Sequence, residues 1–255
     1  MAELTILTRG VKLLSLFDNG HPVMTIPELA GSSGLPESTI YRYISTLKLS
    51  GFIEEASEPR HYRLGLKILE LAQVVRKHWT IIDIALSVMQ SLLSTTHETV
   101  FLTVPYGNKV MCIERLESHL HLKLSFEPGR TMPMHAGASA KVLMAFLDKA
   151  KQDRIIREEG LPRFTDNTLT DPDELKANLE AIRAQGYAIS NQERDVGARG
   201  IAAPISDTRG FVIASLSIAG PQSRITEEKT RAYIELIIAG AQRITRELET
   251  TGWIL

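Results

Sequence analysis

The sequence predicts a two-domain α+β protein, a winged helix-turn-helix followed by a larger domain built on one antiparallel sheet. Three observations carry this. Two short helical patterns meet across a glycine-bearing turn at residues 31–34, as in a helix-turn-helix. The stretch FIEEASEPRHYRLG after them reads as two short strands around a turn. Beyond residue 98, alternating apolar runs recur between turn signals and helical segments. A chain of 255 residues suits one or two domains, and 44% hydrophobic residues is enough for real cores without marking a special class.

The first helix is RGVKLLSLFDNG, with Val11, Leu14 and Leu16 or Phe17 available to a three-helix core. In TIPELAGSSG, the residues Ile26, Leu29 and Ala30 suggest a short amphipathic helix, and residues 31–34 a tight connection. The next helix is the informative one. Wound at about 100° per residue, Ile40, Tyr43, Ile44 and Leu47 share an inward arc. Pro36 suits its first position, and Gly51 a left-handed end. Ser38, Arg42 and Ser45 fall on the opposite side with Tyr41 at the flank, and Thr39 and Lys48 complete the polar set. These are hydroxyls, a phenol and cations, groups that reach phosphates and base edges. A merely solvated face would more often carry Glu, Lys and Gln. The hairpin after Gly51, turning at residues 58–60, is then a wing, with Arg60, His61 and Arg63 placed to touch an adjacent backbone.

Residues 64–79 keep Leu64, Ile68, Leu71 and Val75 at helical spacing and read as a linker helix. Another helix is expected over 81–95, then strands in ETVFLTVPYGNKVMCIERLE and HLHLKLSF with a turn at 106–109. Asp171, Pro172 and Glu174 are an N-cap, a first-turn proline and an N3 acid for a helix that Gly186 ends. Strands follow at YAIS, GIAAPIS and FVIASLSIAG, with a hairpin turn at 207–210, and a last helix starts near Thr226. The expected boundaries are 1–64 for the winged helix-turn-helix, 65–79 for the linker helix and 80–255 for the second domain.

Charge narrows the expected mode of DNA binding. The chain has a formal charge of −1, and residues 1–68 hold seven basic and seven acidic side chains, so attraction to phosphate must be local. Useful affinity then needs at least two winged helices side by side. No run of apolar residues suggests a membrane span, the N-terminus lacks a signal-peptide pattern, and the single Cys112 excludes an internal disulfide framework. A cytoplasmic protein is expected.

In PMHAGASAKVLMAFL a loop of small residues, 135–140, runs into an apolar helix, where backbone N–H groups and the helix dipole favour an anion such as a carboxylate. Ser215 and Ser217 lie two apart and share one side of a strand. The enzyme alternative, catalysis on a small carboxylic acid, finds no G-x-S-x-G elbow, phosphate loop or H-E-x-x-H, and Ser45 with Lys48 spells S-x-x-K without its companion motifs. His119 and His121, with His97 or Cys112, lack diagnostic metal-ligand spacing. No catalytic, metal or cofactor site is expected.

The segment GLPESTIYRYISTLKLSGFIEE followed by YRLGLKILELA resembles the DNA-binding half of an IclR-type bacterial transcriptional regulator. EPGRTMPMHAGASAKVLMAFL, then LTDPDELKANLEAIRAQGYAISNQERDVGARGIAAPISDTRG and IASLSIAGP, resemble that family's effector-binding domain in the same order. The resemblance implies a GAF-like second domain and a homodimer or homotetramer on a palindromic double-stranded operator. It implies a small organic or aromatic acid as effector, and repression in preference to activation. It maps effector contacts to Gly137, Ala138, Leu143, Gly200, Ser217 and Ala219. Relatives often carry a cysteine or other polar residue at Gly200 and a serine at Ala219, so this wall suits a larger or more apolar ligand tail. Glu193, Arg194, Asp195 and Arg199 read as gate or interface charges. The third alternative is a protein-interaction and oligomerisation module.

Overall fold

The computed structural model describes residues 6–18, 20–78, 80–119 and 126–251. The chain divides into two compact units, Met1–Trp79 and Thr80–Leu255.

In the first unit the order is α1 (Ile6–Leu14), β1 (Met24–Thr25), α2 (Ile26–Ser33), α3 (Glu37–Leu49), β2 (Ile53–Glu55), β3 (His61–Leu64) and α4 (Leu66–His78). Thr25 starts α2 with a capping box: its hydroxyl accepts from the Glu28 amide, and the Glu28 carboxylate accepts from the Thr25 amide at 2.7 Å. The helix runs through Gly31 to Ser33, so the expected connection shortens to 34–36, with Gly34 left-handed at φ 69°. Pro36 lies one residue outside α3, and its carbonyl accepts from the Thr39 and Ile40 amides. Ile40 and Ile44 of α3 are buried with Leu13, Phe17, Leu29, Ile53 and Tyr62, while Tyr43 and Leu47 close the edge of this core. On α1 the inward residue is Leu13, 1% exposed; Val11, expected inside, is 54% exposed. β1 is a third strand that two residues were too short to announce, pairing Met24 with Tyr62 in the order β1-β3-β2.

The end of α3 is fastened to the start of α4. Gly65 donates to the Phe52 carbonyl at 2.8 Å, and Lys67 donates to the Gly51 carbonyl at 3.3 Å. A Cβ at Gly65 would overlap that Gly51 carbonyl, so close approach of two backbones requires the glycine. On α4, Leu66, Leu69, Leu71, Val74 and Val75 are all exposed, and Leu64 belongs to β3 instead of the helix.

The second unit continues with α5 (Thr80–Thr96), β4 (Thr99–Tyr106), β5 (Lys109–Leu116), β6 (Thr131–Pro133) and α6 (Ala138–Ala145). Then come α7 (Lys149–Glu159), α8 (Pro172–Gln185), β7 (Ala188–Asn191), β8 (Ala198–Ser206), β9 (Val212–Pro221) and α9 (Glu227–Thr251). Six strands form one antiparallel sheet in the order β6-β5-β4-β9-β8-β7, giving an α+β fold. Alternation along β9 separates its faces: Leu216 lies against Gly240 of α9, while Ser215 and Ser217 meet Ser139 of α6. Thus α5 and α9 cover one face and α6, backed by α8, the other.

Asp171 caps α8 by accepting from the Asp173 and Glu174 amides, and Gly186 ends it at φ 77°. Helix α7 escaped the sequence reading because it buries only Gln152 and Ile155 and so shows no full apolar stripe. The strand expected at HLHLKLSF falls largely on 120–125, outside the described residues. Among the described residues no helix is long and apolar enough to cross a membrane.

Candidate nucleic-acid interface and effector cleft

In the first unit α3 turns Ser38, Tyr41, Arg42 and Ser45 to solvent. Arg42 has no carboxylate partner among the described residues. The Ser45 hydroxyl donates to the Tyr41 carbonyl at 2.9 Å, which leaves its lone pairs free to accept. Thr39 is half-buried toward α1, where with Arg42 and Thr46 it lines a groove that also holds Arg9, Val11 and Leu14. Leu49, which the polar inventory missed, is 91% exposed and about 20° round the helix from Arg42.

The wing changes the standing of Lys48. Its ammonium donates to the Glu55 carboxylate at 2.9 Å and lies 5.7 Å from the centre of the Tyr62 ring. Glu55 also accepts from the Arg60 amide at 2.9 Å. That backbone bond first, and Lys48 second, hold the Glu55 carboxyl below its usual range, and Glu55 in turn raises Lys48. Lys48 is therefore an α3-to-wing tie as the protein stands. Arg63 is likewise paired, with Glu54 at 2.7 Å. Arg60 is exposed at the wing tip with φ 62°, and His61 is half-buried with Nδ1 facing the Pro59 carbonyl at 3.1 Å. Arg42 and Arg60 are thus the two cations of the expected set without a carboxylate partner among the described residues.

In the second unit a cleft lies between α6, the sheet and the loop 192–197. Gly137, Ala138, Gly200, Ser217 and Ala219 all line it. Leu143 does not: it is 1% exposed in the core with Met144, Leu175 and Leu179, because five residues along α6 is about 140° of rotation from Ala138. Apolar walls come from Phe101, Phe126 and Met132, with the two rings 6.0 Å apart.

The hydroxyls of Ser139 and Ser217 at the cleft are buried. Ser139 and Ser217 share a hydrogen bond of 2.6 Å between hydroxyls, and Ser215 donates to the Ser139 carbonyl at 3.3 Å. Two hydroxyls hold two protons and their mutual bond uses one, so the pair retains a donor for a ligand oxygen. Gly137, at φ 94°, heads α6 and donates to the Glu193 carboxylate at 3.2 Å. The other oxygen of Glu193 receives the Lys141 ammonium at 2.6 Å. A Cβ at Gly200 would meet Ala138 and Ala219 at ordinary distances of 3.5 and 3.8 Å, so the glycine leaves room that folding does not demand.

Of the charges around the loop, Arg194 stacks 4.1 Å from the centre of the Phe164 ring, and His135 stacks on the same ring at 5.7 Å. Burial lowers the pKa of His135, whose Nε2 faces the Pro162 carbonyl at 3.0 Å. Arg199 is tied toward α9, donating to the Ile225 carbonyl at 3.1 Å. Cys112 is fully buried and burial pushes its thiol up to about 12. His119 is exposed, His121 lies outside the described residues, and among the described residues no group of three or more metal-ligating side chains gathers.

The sequence reading missed Phe101, Phe126, Ser139 and the Lys141–Glu193 pair. Ser139 sits within the small-residue loop already singled out; the pair spans 52 positions and left no local signal.

Models of the bacterial transcriptional regulator IclR C-terminal region and of the IclR helix-turn-helix domain match residues 73–246 and 6–57. The chain is 32% identical over 222 residues to the HTH-type transcriptional regulator BhcR of Paracoccus denitrificans, covering 87% of this chain and 80% of that one. It is 29% identical over 241 residues to the transcriptional repressor IclR of Escherichia coli, covering 94% and 88%. Among solved structures, an IclR homolog from Microbacterium hydrocarbonoxydans complexed with 4-hydroxybenzoate superposes with a TM-score of 0.86 at 27% identity, covering 96% of this chain and all of that one.

Proposed function

The chain belongs to the IclR family of bacterial transcriptional regulators, and from that membership we propose a cytoplasmic, effector-responsive repressor that reads DNA with α3 and binds a small organic acid in the α6 cleft. The observation that carries the reading is the outward face of α3, where Ser38, Tyr41 and Arg42 stand in solvent beside a wing, in a chain that also holds a pocket. Arg42 and Ser38 would read base edges, with Arg60 on the backbone beside the groove.

The acid's carboxylate would take the α6 N-terminal amides and the spare proton of the Ser139–Ser217 pair. Phe101, Phe126 and the space at Gly200 suit an aromatic body, and the similar chain complexed with 4-hydroxybenzoate supports that class. Two protomers, or a pair of such dimers, would place α3 helices on a palindromic operator. The uncovered apolar side chains of α4, from Leu66 to Val75, support self-association along that helix. Fastening of Gly65 and Lys67 to the end of α3 supports α4 as the element that moves the reading helix. A tenfold effect of the acid on operator binding requires about 1.4 kcal/mol of coupling.

Fluorescence anisotropy with DNA from upstream of the protein's own coding region, against scrambled DNA at physiological salt, tests the reading. Preference for the upstream DNA that one organic acid alters is the expected result. Turnover of a bound acid would favour an enzyme instead, and sequence-blind DNA binding an interaction module.

A further inference from the structure

Lys141 and Glu193 form a buried ion pair that the reading above does not use. Lys141 is 1% exposed and Glu193 7%. The ammonium has three protons, and each has a place: Glu193 at 2.6 Å, the Asn178 side-chain oxygen at 3.1 Å and the Ile189 carbonyl at 3.1 Å. The carboxylate in turn accepts from Gly137, which lines the cleft at the head of α6, and the residues after Glu193, Arg194 and Asp195, also line it. A buried pair of this kind commonly gains little stability over apolar residues of the same volume. Its position is more telling. The chain puts its own carboxylate on the helix N-terminus, the spot whose dipole favours an anion and to which an acid would bind. Left uncompensated, that fixed negative charge would repel a second carboxylate across a few ångströms of low-dielectric interior. Lys141 cancels it from behind α6's first turn.

We propose that Lys141, acting through Glu193, sets the charge preference of the cleft: the neutral pair is what allows the N-terminal turn of α6 to receive an anionic ligand. Lys141 is a positioning residue, holding the Glu193 carboxylate on Gly137 while masking its charge. This inference rests on the reading of the cleft as an acid-binding site. It departs from a packing role because it predicts discrimination between an acid and its uncharged amide, which packing alone does not produce.

The test uses the full-length chain and calorimetric titration with benzoate, 4-hydroxybenzoate, phenylacetate, pyruvate and glyoxylate, then the primary amide of whichever acid binds most tightly. Lys141→Met should lower the acid-over-amide preference by about tenfold or more, because the Glu193 charge is unmasked. Glu193→Gln should raise that preference, because the Lys141 charge is then the one left unmasked. The double variant Lys141→Met/Glu193→Gln, neutral throughout, should return it to within about threefold of the original, since the two charges are removed together. If Lys141→Met fails to fold, the other two decide: Glu193→Gln must show the stronger acid preference of the pair. Equal loss of acid and amide in every folded variant overturns the inference and leaves the acid site standing. Failure of every acid to bind the unaltered chain overturns the acid site and the inference with it.

Discussion

On α3 the candidate binding groups stand in water, Tyr41 being 56% exposed and Arg42 without a carboxylate partner among the described residues, whereas Ser139 and Ser217 of the cleft are buried and bonded to each other, as are Lys141 and Glu193 behind it. The difference follows from the size of the guest. DNA is a large polyanion that exchanges bound counterions for side chains, so its reader needs reach and accepts solvation until contact. A small acid presents one charged end, and recognising it depends on donors held in place before it arrives. Substitutions that affect one region and spare the other test that contrast.

The largest expected effect is at Gly65. A methyl there overlaps the Gly51 carbonyl and forces α3 and α4 apart, at a cost of roughly 1–3 kcal/mol or more. Gly65→Ala should abolish sequence-specific DNA binding and lower the melting of the first unit, while calorimetric acid affinity stays the same. Arg42→Ala should weaken specific DNA binding by about 1–3 kcal/mol with no change in melting or acid affinity, read by anisotropy on specific and scrambled duplexes. Ser139→Ala removes a cleft hydroxyl and should weaken acid binding by about 1 kcal/mol, roughly fivefold, with acid-free DNA binding intact. The smallest effect concerns salt. Glu55→Gln releases Lys48 from the wing and should steepen the salt dependence of DNA binding by up to about one logarithmic unit per protomer, since each engaged phosphate contributes about 0.9. An unchanged slope would keep Lys48 off the DNA.

The same contrast explains what was legible in the sequence. The inward Ile40 and Ile44 and outward Ser38 and Arg42 follow from one helical period, and the cap at Asp171 from residues three apart or fewer, so local chemistry suffices. Val11 was misplaced because α1 carries apolar residues on more than its core face, leaving Ile6 and Leu7 77% exposed as well. The engagement of Lys48 could not be seen, since Glu55 meets it only once the wing folds back. In the cleft, Gly137 and Ala138 were visible as small residues leading into a helix, while Gly200 came by resemblance. Lys141 with Glu193, and Ser139 with Ser217, depend on pairings 52 and 78 positions apart. Leu143 was carried over by resemblance, and the rotation of α6 takes it into the core.

The most direct test joins the two regions: operator affinity of the full-length chain measured by anisotropy, on a duplex enriched by the chain from a random pool, with and without saturating acid. An inverted-repeat operator whose affinity changes at least about tenfold with an acid, and which Arg42→Ala no longer distinguishes from scrambled DNA, is the predicted result. An affinity that no acid of the panel alters, on an operator the chain nevertheless reads, would contradict the claim that the cleft governs the DNA-reading helix.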